Sequence, residues 1–187
     1  MNFLRLKYLP WILAAMWFIC RVVAGKTLEI TASRNFGVLS NILLILILIF
    51  LSIFYAYRGQ SGSAAREFFE DFKTCMKPAL KYVIAVTAGI GIYYGLLSND
   101  LQVLQQAHIT AFNDGIQIEE NFKTFVAEHP EFAQSTKEQI MQANKENVER
   151  NASLQTNILG AVLALTFVSL VYSLLAVFFW RMVVKKI

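Results

Sequence analysis

Four long apolar runs constrain this chain more than any other feature: residues 8–24, 36–57, 78–97 and 158–184. Each is close to, or longer than, the roughly 20 residues an α-helix needs to cross a hydrocarbon core of about 30 Å. The chain is 56% hydrophobic and 16% charged over 187 residues, whereas ordinary soluble domains carry about 25% charge. The predicted class is therefore all-α: a single integral membrane domain, 1–187, with four transmembrane helices. The first run follows Arg5 and Lys7, as a secretory leader would. Arg21 near its far end and the lack of an A-x-A-like site predict that it is kept as a helix.

The runs differ in their small residues. The second, containing NILLILILIFLSIF, is apolar all round and is expected to be the most peripheral helix. The third carries Ala85, Gly89, Gly91 and Gly95, and the fourth Gly160, Ala164, Ser169 and Ser173. Small residues four apart let helix backbones approach closely in lipid, so Gly91, Gly95, Gly160 and Ala164 are predicted to pack the third helix on the fourth.

Basic residues predict orientation. Arg5 and Lys7 precede the first run; Arg58, Arg66, Lys73, Lys77 and Lys81 follow the second; Arg181, Lys185 and Lys186 end the fourth. The first connection holds only Lys26 and Arg34, with Arg21 just before it. By the positive-inside rule both termini are cytoplasmic. Because the charges flank apolar runs and do not gather on one face, the net charge of +4 points to lipid head groups and away from nucleic acid.

Residues 98–157 are then expected on the extracytoplasmic side of the membrane. They hold nine acidic and four basic residues, a net of −5. Structureless loops of that length are uncommon. Leu101, Leu104, His108, Ala111, Gly115, Ile118, Phe122 and Phe125 follow steps of three and four, which predicts a helix with an apolar seam running on from the third span. Pro130 interrupts it. Ser135 with Glu138 reads as a capping box, starting a second helix that runs unbroken into the fourth span. The second arm is rich in Asn and Gln, so the seam residues Leu101, Leu104, Ile118, Phe122 and Phe125 are candidates for an external partner.

On the cytoplasmic side, 63–77 places Ala65, Phe68, Phe69, Phe72 and Met76 on one stripe among charges, as an interfacial amphipathic helix would. A docking face for a cytoplasmic partner is the other reading of this stripe.

No pattern for catalysis, cofactor or metal is present in the sequence. The two histidines, His108 and His129, form no cluster, and Cys20 and Cys75 read as small buried hydrophobes. Gly89, Gly91 and Gly95 lie within an apolar helix and form no phosphate loop. None of the four runs contains Asp or Glu, which argues against a proton-coupled transporter. Arg21, an ionisable group inside the first run, is a functional candidate. It is expected to snorkel to the outer interface, the alternatives being a lipid phosphate contact or a partner carboxylate. Asn151-Ala152-Ser153 matches a short glycosylation pattern that is given no role.

The order of Tyr57-Arg58 closing the second run, the Phe68-Phe69-Glu70-Asp71-Phe72-Lys73 stretch, the Pro130-Glu131-Phe132 turn and the Lys-ended fourth run resembles a family of four-span bacterial proteins. That family is catalogued as a domain of unknown function and is frequent in Bacteroidota. Its amphipathic stretch reads like S-F-x-E-A-F-K, from which Ala65 and Arg66 depart. The resemblance implies an inner-membrane protein of no established activity.

The function expected is a non-enzymatic membrane scaffold or accessory subunit, surrounded by membrane lipids and joined to a membrane-protein partner or a second copy. The alternatives are a lipid-handling protein serving a polyprenyl-phosphate glycosyltransferase, or a small transporter.

Overall fold

The computed structural model describes residues 3–58 and 67–184. Ala65, Arg66, Lys185 and Lys186 lie outside the described residues. Seven α-helices occur in order among these residues, with no strand: α1 Phe3–Thr27, α2 Ile30–Arg58, α3 Phe68–Ile92, α4 Asp100–Gln117, α5 Glu119–Glu128, α6 Lys137–Asn151 and α7 Leu154–Val184. A π-helical turn, Tyr93–Leu97, follows α3, and a 3₁₀ turn, Pro130–Phe132, follows α5. Four stretches are long and apolar enough to cross a membrane: Lys7–Thr27, Ile30–Arg58, Phe68–Leu97 and Leu154–Val183. The chain divides into a bundle unit, Met1–Tyr93 with Ile158–Ile187, and a hairpin unit, Tyr94–Asn157.

In the bundle unit, α1, α2 and α3 pack pairwise. Their shared core includes Ala14, Trp17, Ile45, Ile49, Ile53, Cys75, Ala79, Tyr82 and Val86, joined by Leu165, Ala176 and Val177 of α7. Contrary to expectation, α2 is the most enclosed span and not the most peripheral. Its buried face is Ser33, Gly37, Asn41, Ile45, Leu48, Ile49, Ser52 and Ile53, mostly at steps of three and four. Hydropathy cannot distinguish a lipid-facing from a helix-facing surface, since both are apolar. Small and polar residues at helical spacing can.

The glycine prediction also needs correction. Gly160 and Ala164 are exposed, and a Cβ at Gly160 would meet nothing within 4 Å. At Gly91 a Cβ would meet only the end of Ile158, at 3.4 Å. At Gly95 a Cβ would lie 3.2 Å from the end of Leu154 of α7, a close approach the prediction named; others put Gly89 against Phe18 and Trp17, Gly25 at the Tyr93 hydroxyl, and Gly37 beside Arg21. α7 offers Ser169 and Ser173, both 0% exposed, in place of its glycine.

Helix ends differ from the apolar runs as well. α1 and α2 are joined by Leu28 and Glu29 alone, so both helices continue past their apolar segments. α3 begins ten residues before Pro78, which sits inside it. Prolines are tolerated within membrane helices. Of the stretch read as an interfacial helix, residues 68–77 are the start of α3: Phe68 and Phe72 pack on the bundle core, and Phe69 is 60% exposed.

The hairpin unit sets α4 against α6. It buries Ile109, Ile116 and Ile140. The seam runs one residue out of phase with the prediction in the second half of α4, where Ile109, Phe112 and Ile116 turn inward and His108 and Ala111 are exposed. Side-chain volume decides between adjacent registers. The first arm is broken at Ile118, whose backbone is extended. The capping box is one residue later than expected: the Thr136 hydroxyl accepts from Gln139 N, and the Gln139 side chain accepts from Thr136 N. The second arm ends at Asn151 and does not run on; Ser153 starts α7, its hydroxyl accepting from Thr156 N at 3.2 Å.

Candidate functional site

Two polar clusters lie inside the bundle. The two-residue link between α1 and α2 brings Arg21 beside Ser33, whose hydroxyl accepts from the guanidinium. The guanidinium carbon stands 4.2 Å from the Tyr93 ring centroid, within cation–π range. Gly37 leaves room for the Arg21 stem; a Cβ there would lie 3.2 Å from Arg21 Cδ. Trp17 Nε1 donates to Gly37 O at 3.3 Å and to Ser40 Oγ at 3.1 Å. One turn further along α2, Asn41 Oδ1 accepts from the Tyr82 hydroxyl at 2.7 Å.

Arg21 is 2% exposed, so it does not snorkel. A side chain enclosed in this way presents no face to a lipid phosphate, and the enclosure removes the observation that motivated a lipid-handling role.

The second cluster centres on Asp71, 1% exposed. Its Oδ2 accepts from Tyr57 Oη at 2.7 Å, from Arg181 Nε at 3.0 Å and from Arg181 Nη2 at 2.9 Å. α2, α3 and α7 are thereby tied through one carboxylate. Phe68 meets Phe178 edge-on, and the Arg181 guanidinium sits 5.5 Å from the Phe68 ring centroid.

Asp71 was missed in the sequence because it was assigned to the charged face of an interfacial helix. The available signal was that Asp71 shares four-residue spacing with Cys75 and Ala79. Between Asn41 and Tyr57 the buried face of α2 is Ile45, Leu48, Ile49, Ser52 and Ile53, and Ser52 bonds back to Leu48 O at 2.6 Å.

Of the cysteines, Cys75 is buried as expected, but Cys20 is exposed. Among the described residues no three His, Cys, Asp or Glu side chains are grouped to hold a metal ion.

In the hairpin unit the predicted seam residues divide. Leu101, Leu104, Phe122 and Phe125 are half-buried, and Ile118 is 56% exposed. The α6 arm covers more than its Asn and Gln content suggested, because Ile140, 1% exposed, is its apolar centre. Lys137 clasps the break in the first arm: its Nζ reaches Gln117 O and Glu119 Oε2, both at 3.1 Å, and lies 5.2 Å from the Phe122 ring centroid. That contact holds the Glu119 carboxyl below its ordinary value. At the turn, Phe112, Phe125, His129 and Phe132 gather around a cavity of about 310 Å³.

The chain matches no family model, no curated protein and no solved structure.

Proposed function

We propose that the protein is a non-enzymatic scaffold or accessory subunit of a bacterial inner membrane, binding another membrane protein through the hairpin unit. The observation carrying this reading is apolar and aromatic surface that the hairpin's own arms leave uncovered: Val103 and Ile118, each at least 50% exposed, and an open cavity between Phe112, Phe125 and Phe132. A connector between two spans needs only a few residues, whereas 98–157 builds a folded unit with its own core. The balance of basic residues supports cytoplasmic termini and an external hairpin. The resemblance of Tyr57-Arg58 and the 68–73 stretch to four-span bacterial proteins is the motive for the compartment. The two polar clusters of the bundle serve as internal ties under this reading, with Arg21 and Asp71 held by side chains of neighbouring helices.

The test is crosslinking in intact cells from a photoreactive residue at Gln134, beside the turn, followed by mild extraction. A discrete adduct with one other protein, or with a second copy, is expected, and Ile118→Ser should weaken it. A strictly monomeric particle with no adduct from Gln134 would overturn the reading. A single cysteine at Gln134 labelled from outside, with one at Gln60 protected, checks the orientation independently.

A further inference from the structure

The hydrogen bonds on Asp71 fix a depth. Asp71 stands in the first turn of α3, Tyr57 in the last turn of α2 and Arg181 in the last turn of α7, so their contact marks one end of three apolar stretches. Lys81 lies ten residues further along α3. At 1.5 Å per residue that is about 15 Å inward, half of a hydrocarbon core of about 30 Å. Its neighbour in sequence, Tyr82, agrees with this depth by bonding Asn41, 16 residues from Tyr57 on α2.

Lys81 is half-buried and sits off the enclosed face of α3, where Cys75, Ala79, Tyr82 and Val86 lie. It shares the outer face with Leu80, Ile84 and Ala88, all exposed. Among the described residues it has no ion-pair partner, and its Nζ is not enclosed. Lys73 and Lys77 precede it at four-residue steps, nearer the water, where their stems can carry the charge to lipid head groups. A four-carbon stem at Lys81 cannot cross half the core.

A charge at that depth is costly, and such groups pair with an opposite charge inside the membrane. Lipid phosphates lie at the interface, out of reach of Lys81. A second copy cannot supply the anion either. The acids within the four apolar stretches are Glu70 and Asp71, both in the first turn of α3, and Asp71 is 1% exposed. The counter-charge is therefore a carboxylate of another protein, and the small Ala88 two turns on lets a second helix come close.

We propose that Lys81 forms an ion pair within the membrane with an Asp or Glu on a transmembrane helix of the partner. This assignment rests on the reading above that the partner is a membrane protein, and it adds a contact in the bundle unit to the one in the hairpin unit.

A photoreactive residue at Ile84, in the full-length protein in intact cells, tests it. The expected adduct joins one other protein whose own apolar span holds an Asp or Glu. Lys81→Met, which keeps a side chain of similar length without the charge, should lower that adduct at least about tenfold, while Lys77→Met leaves it within about twofold. In the unaltered protein, an adduct with lipid alone, with a second copy alone, or with a protein lacking such an acid each overturns the proposal. So does an adduct that Lys81→Met leaves undiminished, or that Lys77→Met lowers equally. The first three results need no variant to fold.

Crosslinking from Gln134 separates this inference from the hairpin reading. A charge-dependent adduct from Ile84 with none from Gln134 supports the ion pair and removes the hairpin as the docking element. An adduct from Gln134 with Ile84 joined to lipid alone leaves the hairpin reading standing and overturns the ion pair.

Discussion

The two units differ in what they hide beside apolar side chains and in what they display. The bundle buries Arg21, Ser33, Asn41, Ser52, Asp71, Ser169 and Ser173 and displays Leu39, Ile84, Leu163 and Phe167, each more than 60% exposed. The hairpin buries Ile109, Ile116 and Ile140 and displays most of its Glu, Asn and Gln. A polar exterior over an aliphatic core is what water selects. An apolar exterior over polar contacts is what lipid selects, because tails are as apolar as leucine and only close packing and hydrogen bonds distinguish the inside. Each unit thus records its solvent in which residues it hides.

The sharpest way to break that comparison is at Asp71. Arg181→Leu strips a buried carboxylate of its cation and should cost about 4 kcal/mol, read as the unfolding midpoint in detergent. Replacing both Asp71 and Arg181 by Leu should recover much of the loss, since the desolvated charge is then gone. A single-variant loss below about 1 kcal/mol would mean that water screens the pair, as it does ion pairs at an exposed surface.

In the hairpin the equivalent injury is apolar. Ile140→Ala should cost about 3 kcal/mol and raise amide exchange across 100–151 while leaving α2 protected. Loss of protection in α2 as well would show one cooperative fold and not two units. Next comes the contrast between glycines. Gly25→Leu drives a side chain into the Tyr93 ring and should cost about 2 kcal/mol, whereas Gly160→Leu meets open space and should change stability by less than about 0.5 kcal/mol. The opposite order in detergent melts would return the helix contact to α7.

At the start of α6, Thr136→Ala removes the cap and should cost about 1 kcal/mol, with Ser135→Ala having no measurable effect. The smallest effect is with pH. Lys137 holds Glu119 below its ordinary carboxyl value of 4.5, and hydrogen bonds from its own main-chain N–H and from Thr136 do the same for Glu138. Depressed carboxyls contribute stability that is present above their unfolded value and lost as pH falls through the folded one. Hairpin amide protection should therefore hold from pH 7 to about 5 and weaken only below about 4.5, whereas weakening already between 7 and 6 would show that these two carboxyls do not set the acid response.

Several of these tests sit where sequence reading stopped short. The four spans and the intervening hairpin were legible because an apolar run of bilayer length, and a proline after a helical seam, constrain the chain locally whatever surrounds it. Seam phase was not legible in detail. His108 and Ile109 both fit a repeat of three and four, and only the space facing α6 selects the isoleucine. The cap slipped from Ser135 to Thr136 for a similar reason, since adjacent hydroxyls can each begin a helix and the backbone turn chooses between them.

What sequence alone determined was solvent class and connectivity: a chain with four lipid-length apolar helices and a polar, acidic insertion. What tertiary structure decided was which faces meet. It enclosed α2, the most apolar helix; left Gly160 and Ala164 exposed while using Gly25, Gly37 and Gly89; and drew Arg21 and Asp71 inward to partners 12 and 110 residues away. The physical reason is that transfer into lipid depends on composition summed along a helix, which a sequence states directly. Helix contact within lipid depends on the matching of individual surfaces, and that exists only once the helices stand side by side.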